Sequence, residues 1–80
     1  MEDAEIVARI DELVEEEHRL ERNHADQPLD AAGQTRLREL EAHLDQAWDL
    51  LRRRRARRAA GGDPDEVRPR GTEVVEHYRQ

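Results

Sequence analysis

Two stretches of this chain carry apolar residues at helical spacing, and one runs as the mirror of the other. Ile6, Ile10, Leu13 and Leu20 recur at steps of four, three and seven. Leu37, Leu44, Ala47 and Leu51 recur at steps of seven, three and four. Steps of this kind put side chains on one face of an α-helix. Ile6 and Leu51, Ile10 and Ala47, Leu13 and Leu44, Leu20 and Leu37 each have position numbers that add to 57. A constant sum is the register of two antiparallel strips facing each other. The pattern predicts an all-α fold: an antiparallel two-helix hairpin with a coiled-coil-like seam.

Polar residues set the boundaries. The spacing predicts helix 1 over about 3–23, a turn over 24–30 and helix 2 over about 31–60. Glu2, Asp3 and Glu5 lie at the start of helix 1, where carboxylates favour the helix dipole. Pro28 cannot continue helix 1. Asp30 is the expected N-cap of helix 2. Gly33 inside that helix costs about 1 kcal/mol relative to alanine. Gly61-Gly62 and Asp63-Pro64 end it. Residues 1–60 form the hairpin, and residues 61–80 an acidic tail with Gly and Pro. A short helix is expected within the tail from Thr72 through Tyr78.

The register assigns neighbours. Asp3 faces Arg54 and closes the open end with an ion pair. Glu17 faces Leu40 as a polar seat that fixes the alignment. On one edge, Glu16 faces His43 and Glu2 faces Arg57. The other edge is apolar, with Val7, Val14, Trp48 and Leu50 as a dimer or partner interface. A hairpin this small buries little apolar area against its chain entropy. Homodimerisation into a four-helix bundle is the expected remedy, and docking on an unknown protein partner is the other.

Composition narrows the class. Charged residues are 42% of the chain, and Trp48 and Tyr78 are its aromatics. No apolar run approaches the length of a membrane span, so no membrane role is expected. There is no cysteine, which excludes disulfides and thiolate chemistry. An acidic N-terminus and a cysteine-free chain suit the cytoplasm. Serine is absent, and Thr35 and Thr72 have no evident base, so an enzyme is not expected. No cofactor is implied.

Charge is uneven, acidic over residues 1–30 and basic over 31–60. The densest run is Arg52-Arg53-Arg54-Arg55-Ala56-Arg57-Arg58. The first reading of the run is structural: cations suit a helix C-terminus, Glu2, Asp3 and Glu5 arrive beside them, and the acidic tail can fold back on them. Arg53, Arg55, Arg57 and Arg58 extend past the seam and are also the expected contacts for an acidic partner or for phosphates. Nucleic acid is the second reading of this run, and no aromatic residues accompany it for base stacking. Metal binding is a third reading. Glu15-x-x-His18 and Glu21-x-x-His24 match a spacing used in di-iron bundles, although Glu15 and His18 point outward. So small a bundle is expected to leave little room for a ligand pocket of about 300 Å³ or more.

Ile6-Val7-Ala8-Arg9-Ile10, Leu13-Val14-Glu15-Glu16-Glu17-His18, Leu44 to Arg52, Asp63-Pro64-Asp65-Glu66-Val67 and Glu73-Val74-Val75-Glu76 resemble a family of short helical proteins. They come from high-GC Gram-positive bacteria and are catalogued as a domain of unknown function. The resemblance covers nearly the whole chain and implies a complete protein with a helical fold. It implies no activity. The leading expectation is a non-enzymatic protein-interaction module.

Overall fold

The computed structural model describes residues 2–24 and 26–72. Helix α1 spans Asp3–Asn23 and helix α2 spans Ala31–Ala59. They pack as a hairpin, and a 3₁₀ helix follows at Pro64–Glu66. The expected helix beyond Thr72 lies outside the described residues.

Each boundary has a local cause. The Asp30 side chain accepts from the Gly33 amide at 2.7 Å, capping α2. A methyl at Gly33 would lie 3.1 Å from Leu29 Cδ2 and 3.2 Å from that capping oxygen. Glycine therefore lets Leu29 fold over the first turn. At the far end Gly61 adopts φ +83°. The Gly62 amide donates to the Arg57 carbonyl at 2.9 Å and the Gly61 amide to the Arg58 carbonyl at 3.0 Å. This is a Schellman ending, in which a left-handed residue lets the chain reverse. Asp63 then caps the 3₁₀ turn by accepting from the Asp65 amide, with Pro64 supplying its preset φ.

Ile6, Ile10, Leu50 and Leu51 form a buried cluster, with Val14, Leu44, Ala47 and Val67 packed against it. Leu13 and Leu40 are buried as well. Leu20, Leu37 and Leu44 are half-buried. The seam is thus densest toward the open end of the hairpin and thins toward the turn. Glu17, the expected polar seat, is half-buried, and Leu40 is fully buried.

After Gly61 the acidic tail folds back on the arginine run, the alternative that its charge offered. Residues 63–70 run back along α2 as a third layer. Val67 packs against the cluster of Ile6, Ile10, Leu50 and Leu51. The Gln46 side-chain amide donates to the Arg70 carbonyl at 2.8 Å. Arg53 Nη2 donates to the Arg68 carbonyl. These acceptors are backbone oxygens, which any sequence supplies.

Candidate docking face

The arginine run of α2 is divided by helix geometry. Arg54 points inward and is 3% exposed. Its Nε donates to Asp3 Oδ1 at 2.7 Å, and its Nη1 donates to the Pro64 carbonyl at 2.9 Å and to Asp65 Oδ1 at 3.1 Å. One guanidinium therefore joins the start of α1, the end of α2 and the returning chain. Burying a charge is costly unless it is paired and hydrogen-bonded, and here it is both. Arg58 and Arg54 beside Asp3 hold that carboxyl below its ordinary value of 3.8. Asp3 in turn raises the Arg54 guanidinium against the opposing effect of burial.

The four arginines expected to meet a partner have unequal fates. Arg53 Nε donates to Asp49 Oδ2 at 3.0 Å, besides its bond to the Arg68 carbonyl. Arg57 Nη2 donates to Glu66 Oε2 at 2.7 Å, so its partner is Glu66 and not Glu2. Arg58 Nη1 donates to Asp3 Oδ2 at 3.0 Å. Three of the four hold the fold together. Arg55 is exposed and, like Arg52, has no ion-pair partner among the described residues. Asp49 of α2, Asp3 of α1 and Glu66 of the returning segment each neutralise one of the three.

Nearer the turn, Glu16 takes two hydrogen bonds from Arg36, through Nε to Oε2 and through Nη2 to Oε1 at 2.9 Å. A fork-to-fork pair of this kind fixes geometry. It holds Glu16 below its ordinary value of 4.5. The partner is therefore Arg36, about two turns nearer the hairpin turn than the expected neighbour His43.

The two long edges of the hairpin differ sharply. Two positions in an α-helix are about 200° apart, so Leu50 and Trp48 lie on opposite edges. Leu50 is 5% exposed and belongs to the core, on the side that Val67 covers. Beside it is an open cleft of about 540 Å³, lined by Ile6, Arg9, Glu12, His43, Leu50 and Pro69 among others. This exceeds the room expected from the size of the bundle, because the returning chain adds a wall. The opposite edge has no such cover among the described residues. There Val7 is 40% exposed and Trp48 43% exposed. Val14 lies half-buried against the core.

The histidine spacings bring no ligand set together. His24 Nδ1 donates to the Leu20 carbonyl at 2.9 Å. Among the described residues no group of three or more His, Cys, Asp or Glu is placed to hold a metal ion. No helix of the described residues is long and apolar enough to cross a membrane.

Residues 2–80 match a family model described as "Protein of unknown function (DUF2630)". The chain belongs to this family. Two relatives show how far the DUF2630 likeness extends. The uncharacterized protein Rv0898c of Mycobacterium tuberculosis (strain ATCC 25618 / H37Rv) is 44% identical over 77 residues, covering 95% of this chain and 88% of the relative. The uncharacterized protein Mb0922c of Mycobacterium bovis matches to the same extent. No solved structure matches the chain. Membership in DUF2630 agrees with the resemblance to proteins of high-GC Gram-positive bacteria and with a helical fold, and it carries no activity with it.

Proposed function

We propose that the chain is a non-enzymatic, cytoplasmic protein-interaction module that docks through the edge bearing Val7 and Trp48. The observation that carries this reading is the pair of large hydrophobics exposed on one edge. Tryptophan is enriched at the energetic centres of protein interfaces because it buries much apolar area with few rotatable bonds. The opposite edge is partly covered by the returning chain, with an open cleft left beside Leu50, and the buried Arg54 charge is satisfied by Asp3 and Asp65. Arg52 and Arg55 lie on the Trp48 side of α2 and add a polar rim.

The phosphate-binding reading of the arginine run has less to draw on. Arg53, Arg54, Arg57 and Arg58 are each engaged within the fold, which leaves fewer cations for a polyanion.

The test is capture of partners from a host extract by the unmodified chain and by a Val7→Glu, Trp48→Ala variant, with helicity checked by circular dichroism. The docking reading expects the folded variant to lose its partners. Retention of every partner by the folded variant would overturn it.

A further inference from the structure

The Trp48 side of α2 carries a charge pattern that is its own complement. Glu41, Trp48, Arg52 and Arg55 are all exposed. At 100° per residue they fall within about 60° of arc. Glu41 lies seven positions before Trp48 and Arg55 seven positions after it. Each is therefore about 10 Å from the tryptophan along the helix axis. Neither Glu41, Arg52 nor Arg55 has a hydrogen-bond or ion-pair partner among the described residues. Three charges of this face with no partner among the described residues thus flank the exposed tryptophan, acidic on one side along the helix and basic on the other.

We propose that the occupant of this face is a second copy of the chain, with α2 packed antiparallel on α2 and the two-fold axis at Trp48. The proposal rests on the docking reading above and names its partner. A two-fold contact is self-complementary, so a residue seven before the axis meets the residue seven after it. Glu41 of each copy then faces Arg55 of the other, twice over. The stem of Arg52 lies above Leu44, four positions before the axis, and can cover its half-exposed surface. A parallel pairing instead sets Glu41 against Glu41 and Arg55 against Arg55. Like charges opposed across an interface disfavour that alternative. Antiparallel helices also oppose their dipoles favourably. Val7 stands on the same edge and widens the apolar strip beside Trp48.

Charge exchange tests the register. Both positions are exposed, so the variants should fold, and circular dichroism verifies that they do. Sedimentation equilibrium should show a dimer of the unmodified chain. Glu41→Arg alone and Arg55→Glu alone should each weaken it by about tenfold or more, because each places like charges at both symmetry-related contacts. The double exchange should restore the dimer. An equimolar mixture of the two single variants should also associate, since each then meets opposite charge at both contacts. A chain that stays monomeric to its solubility limit would overturn the proposal. So would single exchanges that leave the dimer unchanged, or a double exchange as weak as the singles. If the chain is monomeric while the Val7→Glu, Trp48→Ala variant still loses its partners, self-pairing fails and the docking reading stands.

Discussion

Asp3, in the first turn of α1, accepts a hydrogen bond from Arg54 Nε at 2.7 Å, 51 positions away in the chain. The bond is the fastening at the open end of the hairpin, where no turn holds the helices together. Arg54 also binds the Pro64 carbonyl and Asp65. Loss of this one side chain therefore loosens both helix pairing and the returning segment. Arg54→Gln should lower stability well beyond Arg52→Gln or Arg55→Gln, which remove exposed charges. Asp3→Asn and Arg54→Gln should be strongly non-additive in a double-mutant cycle. Urea unfolding followed by circular dichroism, at fixed protein concentration, measures both.

The seam predicts a graded response. Leu51 and Leu40 are fully buried, so Leu51→Ala and Leu40→Ala should each cost about 2–5 kcal/mol. Leu44 is half-buried and should cost less. Trp48→Ala should change the stability of the isolated hairpin little, because much of its ring faces outward. Thermal or urea unfolding of the four variants orders them.

Gly33, inside α2, and Gly61, just past its end, should respond differently to alanine. Gly61 occupies the left-handed region at φ +83°, where a Cβ costs about 1–2 kcal/mol. Gly61→Ala should be destabilising by that amount. Gly33→Ala gains about 1 kcal/mol of helix propensity but presses its methyl on Leu29 and the Asp30 cap at 3.1–3.2 Å. Its net effect should be near zero. Midpoints of urea unfolding compare the two.

Acid should weaken the fold through Asp3 and Glu16. Arg58 and Arg54 lower Asp3 below 3.8, and Arg36 lowers Glu16 below 4.5. A carboxyl lowered in the folded state contributes fully above its ordinary value. That contribution is lost as pH falls from there through the lowered folded value. Stability from these two groups should be flat from neutrality to about pH 5 and decline below about 4.5. Asp3→Asn and Glu16→Gln together should flatten the decline. Urea midpoints between pH 3 and 7 give the profile.

The helix limits and the Asp3–Arg54 pair were legible because they depend on local signals. Proline, a capping aspartate, paired glycines and seven-residue spacing act over one or two turns. That the acidic tail can fold back was legible from its charge, but the path of the third layer was not, since its further anchors are the carbonyls of Pro64, Arg68 and Arg70. A carbonyl belongs to every residue and leaves no trace in side-chain pattern. The apolar edge was legible in part. Val7, Val14 and Trp48 share a side, whereas Leu50 shares only their hydrophobicity. Its angle on α2 places it with Gln46 and Arg53, under the returning chain.

That returning chain also fixes the valence of the molecule. A bare helical hairpin has two long edges, each able to recruit another helix, and such units can add one to the next without end. Here Val67 and the residues around it occupy part of one edge, beside the open cleft at Leu50. Among the described residues the edge of Val7 and Trp48 is the one left without such a strap. A unit with one free edge can make a pair and then has nothing left to offer a third. If two copies pair through that edge as proposed, the strap beside Leu50 would act as a chain terminator, converting an open-ended building block into one whose assembly closes.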